Sequence, residues 1–267
     1  GRQLRLAVVA VSSTASAKLG WKAKSIVVIG GTQGMGLAVA KLAASLGAAK
    51  VSVASRAEAN VAQAVIEIKA VAAAGCEVAG YVSDATDEES LSNAFSNIGP
   101  CDYVAVNAGG GRPTTVLGSP LEQQREVWEA KYWAIVKTVR AAAPFVLPGG
   151  SFTFVGGSWS QKPMAGQVQA AAQQAAVEGL ARALALELAP KEIRVNVCAM
   201  GVVRTPLWDR VVPDSEKREE VFSKKAASLP VGRVGAPEDV AEAMIMLMTN
   251  RFATGTVLNL NGGEYIS

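Results

Sequence analysis

The stretch Ser25-Ile26-Val27-Val28-Ile29-Gly30-Gly31-Thr32-Gln33-Gly34-Met35-Gly36 decides the fold. Five β-prone residues run straight into a glycine-rich turn, and Leu37 to Leu46 then reads as an alanine-rich helix. Glycines at such a strand-to-helix turn let the backbone bend tightly and come close to a pyrophosphate. Free N–H groups and the positive end of the helix dipole would meet its charge. A βα turn that binds nothing also needs glycine, so the motif gains its meaning from the strands that follow.

Three more strands end in residues suited to the same ligand. Lys50 to Ala54 runs into Ser55-Arg56, where a carboxylate is expected if the partner is a free ribose 2′-hydroxyl. Arginine instead favours a 2′-phosphate, whose oxygens its planar fork takes in pairs, so NADP(H) is expected over NAD(H). Glu77 to Val82 leads to Ser83-Asp84-Ala85-Thr86-Asp87, and Asp102 to Val106 leads to Asn107-Ala108-Gly109. Both segments sit at the carboxyl ends of strands, which form the ligand crevice of an open α/β sheet. Strand and helix patterns alternate along the whole chain, which predicts one α/β domain on a doubly wound parallel sheet of seven strands. That domain is expected over 25–267, with 1–24 as an extension of unassigned role.

The chain resembles a short-chain dehydrogenase/reductase over about residues 24 to 265. The family's G-x-x-x-G-x-G turn is matched by Gly30, Gly34 and Gly36, its adenine-contacting aspartate by Asp84, and its N-A-G motif by Asn107-Ala108-Gly109. Arg194-Val195-Asn196-Val197-Cys198-Ala199-Met200-Gly201 is similar to the R-V-N-x-x-x-P-G segment, with Met200 in place of proline. Thr205-Pro206 resembles the threonine that holds the cofactor's carboxamide or phosphate, and Asn259-Leu260-Asn261-Gly262-Gly263 resembles the closing strand and its turn. The resemblance implies a single-domain Rossmann fold with helices on both faces and a homodimer or homotetramer. It also implies an NADP(H) site made by Gly30, Thr32, Gln33, Gly34, Met35, Gly36, Ser55, Arg56, Asp84, Asn107, Ala108, Gly109, Gln174, Val202 and Thr205.

The same resemblance exposes what is missing. Gln174-Ala175-Ala176-Val177-Glu178-Gly179-Leu180 reads like the helix that carries the family's catalytic lysine. That alignment puts Gln174 at the lysine and Ala170, four residues earlier on the same face, at the tyrosine. Alanine has no proton to give, and glutamine has no charge with which to lower a neighbour's pKa. Counting back from Pro144 puts Lys131 where the family keeps a water-relaying asparagine. Strict spacing puts Gly157 at the catalytic serine, and a shifted loop would bring Ser158 there instead. The tyrosines are Tyr81, Tyr103, Tyr132 and Tyr265, and none has a lysine four residues downstream, so no change of register restores the pair.

Residues 202–231 are expected to form a substrate lid whose charged stretch, Glu216 through Glu220, is a solvated helix face. Trp208, beside Thr205-Pro206, is expected to overhang the nicotinamide. Trp159, next to Ser158, is expected to face the same space, with Trp133 near it. Each would serve equally as core. Together they point to a bulky aromatic or cationic small-molecule substrate, since an indole face attracts a cation by roughly 0.5 to 2 kcal/mol.

Hydride delivery to a ketone builds negative charge on oxygen and calls for a proton donor worth about 10²- to 10⁴-fold. An iminium ion is already cationic, and that step needs no acid. The expected function is therefore NADPH-dependent reduction of an imine or iminium, with Ser158, Lys131, Trp159 and Trp208 at the reacting centre. A narrower resemblance is to fungal members of the family in indole-alkaloid assembly, which act as reductases or as Diels–Alder or Pictet–Spengler cyclases. It leaves open a non-redox cyclase that retains NADP(H) in its pocket. Gly166 and Gln167 stand after Pro163 where such a cyclase would need an acid. A non-catalytic NADP(H)-binding protein is the third reading.

Composition narrows the remaining classes. The chain has no histidine, which excludes a histidine-based triad or zinc site. A formal charge of +3, from 26 basic and 23 acidic side chains, is too balanced to point to nucleic acid. No apolar run reaches the ~18 to 20 residues of a membrane span. Cys76, Cys101 and Cys198 are isolated and lack metal-ligand spacing, so no metal is expected and a reducing, cytoplasmic setting is. The first 24 residues carry Arg2, Arg5, Lys18, Lys22 and Lys24 without an acidic residue, a composition like that of organelle-targeting segments, and Leu4 to Val11 reads as an added strand or arm.

Overall fold

Alternate side chains of β1 (Ser25–Ile29) enter two different cores, Ile26 and Val28 on one side of the sheet and Val27 and Ile29 on the other. The computed structural model describes residues 21, 23–107, 109 and 114–267. Within it β1 lies between β2 (Lys50–Ser55) and β4 (Cys101–Val106). β3 (Glu77–Val82) extends one side, and β5 (Val146–Gly157), β6 (Arg194–Met200) and β7 (Val257–Leu260) extend the other. The order is β3-β2-β1-β4-β5-β6-β7, parallel throughout. This is the expected seven-stranded Rossmann-type sheet. The chain winds outward from β1 to β3 and then returns to β4 beside β1, so a crevice opens at their carboxyl ends.

Helices cover both faces. α1 (Gly34–Ser45), α2 (Glu58–Lys69) and α9 (Pro237–Thr249) share one core with Ile26 and Val28. α3 (Glu88–Ile98), α5 (Ala134–Ala142) and α6 (Val168–Glu187) share the other with Val27 and Ile29. α4 (Leu121–Trp128) joins α5 through a wide π turn at Glu129–Trp133, and α7 (Leu207–Val211) and α8 (Ser215–Ser228) fill the excursion between β6 and α9. α1 begins three residues before the expected Leu37, because its first turn includes the glycine turn itself. A Cβ on Gly36 would stand 2.2 Å from the Gly30 carbonyl oxygen, so only glycine lets the helix start against the end of β1.

Among the described residues no helix is long and apolar enough to cross a membrane. The proposed strand at Leu4 to Val11 and the whole of residues 1–20 lie outside the described residues, as does Ala108.

Candidate active site

The crevice is built from strand ends whose positions the sheet fixes. Asn107 N–H donates to the Ile29 carbonyl at 2.9 Å, which joins the end of β4 to that of β1. The Asn107 side chain then meets Gly30, its Nδ2 donating to the Gly30 oxygen at 3.4 Å, while its Oδ1 is buried and has no partner among the described residues. Gln33 precedes α1 without capping it by its side chain, so the helix's first N–H groups are left for a ligand. Thr32 is buried in this turn and Met35 packs on the core beneath it. Thr205 and Pro206, arriving after β6, lie 3.3 and 3.5 Å from where a Gly34 Cβ would be. Val202 supports that approach by accepting the Gly235 N–H at 2.9 Å.

Polar side chains stand at the ends of β2 and β3. Arg56 is exposed and pairs with no described carboxylate, and Ser55 beside it is half-buried. Asp84 is held in place by Thr86, whose N–H and Oγ1 both donate to its Oδ1 at 2.8 Å. Asp87 caps α3 by accepting from Glu89 and Ser90, which fixes the loop carrying Asp84.

Lys131 is only 7% exposed and sits on the π turn. Gly109, with φ of 115°, lies so close that a Cβ there would be 2.5 Å from the lysine Cδ and 3.0 Å from the Ala130 oxygen. Glycine thus lets the loop after β4 rest on the turn, and the lysine is sealed beside it. Burial pushes its ammonium down from 10.5 to about 8. π turns interrupt helices mostly at functional sites.

Gly157, at the end of β5, faces α6: a Cβ there would stand 3.0 Å from Gln174 Nε2. Gly157, the position that strict spacing gives the family's serine, thus lies against residue 174. Gln174 Oε1 is buried without a partner among the described residues. Ala170 is one turn earlier on α6. Ser158 is buried on the following 3₁₀ turn, and its carbonyl accepts the Tyr265 hydroxyl at 3.1 Å. Tyr265 and its neighbour Glu264 are site-side residues that sequence reasoning passed over. Their partners lie between 39 and 107 residues upstream, and no local pattern marks them.

The expected tryptophan cluster needs correction. Trp133 is 45% exposed and lines an outer cavity of about 410 Å³ with Leu121, Arg125, Trp128 and Gln169. Lys131 points inward, and two residues of helix turn the chain roughly 200°, so Trp133 must face out. Trp208 meets Phe222 of α8 edge-on at 5.3 Å and donates its indole N–H to the Val203 oxygen at 3.1 Å. Trp159 is half-buried beside Ser158. No two of these three rings are in contact. Among the described residues no group of three or more acidic or cysteine side chains could hold a metal.

Residues 30–264 match the family model described as enoyl-(acyl carrier protein) reductase. The short-chain dehydrogenase/reductase ATR9 of Stachybotrys chlorohalonatus is 34% identical over 255 residues, 92% of this chain and 98% of that protein. The chain belongs to the short-chain dehydrogenase/reductase superfamily. It is an oxidoreductase of that type, and the family uses nicotinamide cofactors. Carbonyl reductase family member 4 of Xenopus laevis is 32% identical over 90% of this chain and 97% of its own length. Among solved structures, the MalC reductase/Diels-Alderase of Malbranchea aurantiaca superposes with a TM-score of 0.86 at 27% identity, covering 94% of this chain and all of that one. An NADPH-bound short-chain oxidoreductase of Pseudomonas aeruginosa described as containing an atypical catalytic center gives 0.83 at 26% identity, covering 91% and 98%.

Proposed function

We propose that this protein is an NADPH-dependent reductase of imines and iminium ions. The reading rests on aligning Gly157, Ala170 and Gln174 with the superfamily's serine, tyrosine and lysine, and the observation that supports it is that Gly157 lies against Gln174, one turn along α6 from Ala170. None of the three can donate a proton to a developing alkoxide. A cationic C=N acceptor is the substrate class for which that loss costs least, because hydride addition neutralises it.

The residues present fit a phosphorylated dinucleotide. Uncapped N–H groups at α1, the Gly30 to Gly36 turn with Thr32, Gln33 and Met35, and the orphaned acceptors of Asn107 and Gln174 form its bed. Ser55 and Arg56 would take the 2′-phosphate and Asp84 the adenine amino group. Asn107 and Gly109 would form the floor, Gln174 would meet the ribose hydroxyls, and Val202 and Thr205 the carboxamide. NADPH, when bound, supplies the hydride.

The chain's own residues do the rest. A neutral imine nitrogen is basic enough to be protonated before hydride arrives, which a ketone oxygen is not, and Lys131, whose ammonium burial lowers to about 8, is the source of that proton: the N–H bond at Nζ breaks as one to the imine nitrogen forms, and the amine recovers its proton from water. Ser158 orients the substrate. Trp159 and Trp208 form walls of a site that residues 202–231 close as a lid. The likeness to the MalC reductase/Diels-Alderase favours one second reading, a cyclase that keeps NADP(H) unconsumed.

The test is NADPH oxidation with a panel of cyclic imines and ketones. Oxidation with imines and little with ketones supports the reductase. Product formation with no NADPH consumed supports the cyclase. Tight NADPH binding with no turnover of any kind contradicts both.

A further inference from the structure

The segment after β7 is fastened to two separate walls of the site. Gly262 and Gly263 have φ of 65° and 87°, and lie so close to the end of α8 that a Cβ on Gly263 would be 2.6 Å from Pro230. The Val231 N–H donates to the Gly262 oxygen at 3.3 Å. Glu264 is 6% exposed and binds the ammonium of Lys225 on α8. On the opposite side, Lys162 donates to the Glu264 carbonyl at 2.7 Å and to that of Ser267 at 2.8 Å. Tyr265 donates to the Ser158 carbonyl. Seven residues thus link α8 to the turn that follows Gly157.

The linkage is not a passive surface contact. Glu264 Oε2 is buried and has no partner among the described residues, so this carboxylate is costly to keep. Its ion pair differs from an exposed bridge of α8, such as Lys217 with Asp214, because its carboxylate is buried and loses its one charged partner if Lys225 is removed. The remainder of α8 has little to hold it, since Phe222 is its one buried residue.

We propose that residues 261–267 form a strap and that Glu264 is a positioning residue, fixing α8 to the Ser158–Lys162 turn so that the lid stays registered over the crevice. The proposal rests on the proposed function only in calling these walls the substrate side.

Hydrogen exchange read by mass spectrometry on the full chain tests it, with Glu264→Gln, Lys225→Met, the double variant and Tyr265→Phe. Glu264→Gln is expected to raise exchange about tenfold or more across 215–231, while 158–162, which residue 264 meets through its backbone carbonyl, keeps its protection together with β1 and α1, and NADPH affinity is unchanged. Lys225→Met should open 215–231 alone, Tyr265→Phe 158–162 alone, and the double variant should exchange no faster than Glu264→Gln. With an N-methylated cyclic iminium salt as substrate, Glu264→Gln should raise KM and leave kcat in place. Unchanged exchange, a uniform rise across the sheet, or additive effects of the two substitutions would overturn the strap. If the wild type reduces no iminium salt, the functional reading fails and the exchange data still decide this proposal.

Discussion

Lys131→Met separates a residue kept for chemistry from one kept for structure. The fall of its ammonium from 10.5 to about 8 has one cause, burial. At about 1.4 kcal/mol per factor of ten, the charged form costs the folded protein about 3 kcal/mol. The sign follows from proton counting. Below about pH 8 both folded and unfolded lysines are protonated, and the folded state bears the whole cost. Between pH 8 and 10.5 the folded lysine sheds its proton while the unfolded one keeps it, so stability rises.

Methionine keeps the apolar stem and removes the charge. The variant lacks that titration, so its stability relative to the wild type should fall by about 3 kcal/mol between pH 8 and pH 10.5. Urea unfolding followed by tryptophan fluorescence at several pH values measures this. The thiols of Cys101 and Cys198, pushed up to about 12 by burial, lower stability at high pH in both proteins and cancel in the difference. The same variant should lose reduction of a neutral cyclic imine and keep reduction of the N-methylated iminium salt, which needs no proton. A difference between the two proteins that ignores pH would refute the cost assigned to this lysine. Equal loss on both substrates would refute its role as proton source.

Arg56→Ala should weaken NADPH about 10- to 100-fold in a fluorescence titration and leave NADH unchanged, since only the 2′-phosphate loses its charged hydrogen bonds. Gly36→Ala places a Cβ 2.2 Å from the Gly30 oxygen and 2.9 Å from Asn107 Nδ2. It should cost about 1 to 3 kcal/mol in urea unfolding and abolish tight NADPH binding. Asp239 accepts from Arg233 at 2.6 and 2.8 Å and from the Ala236 N–H at 2.7 Å, and the arginine chiefly holds its carboxyl at about 2. That stabilisation is present above the ordinary carboxylate value near 3.8 and is lost as pH falls towards 2. Asp239→Asn should thus cost about 1 kcal/mol at pH 7 by thermal unfolding, with the difference vanishing in acid.

The sheet was legible because its signals are local. The run Ser25 to Ile29 with its glycine turn, and the polar residues closing the next three strands, announce a βα repeat whose ligand end follows from topology. Direction was harder to read than position. Whether Gly157 or Ser158 faces residue 174 depends on one Cβ vector at the end of β5, which spacing does not give. Trp133 was misread for the same reason, since nearness to Lys131 in sequence put it on the opposite side of the π turn. The Glu264 and Tyr265 contacts were invisible because they join residues 39 and 107 positions apart through geometry that exists only once β7 is in place.

One ratio measures how far turnover depends on the charge of the acceptor. The N-methylated cyclic iminium salt and the ketone of the same ring skeleton are compared for kcat/KM with NADPH on the unmodified protein. The cation is expected to be preferred by about 10²-fold or more, the worth of the tyrosine's proton at a carbonyl oxygen. Reduction of the ketone at an equal or greater rate would contradict it.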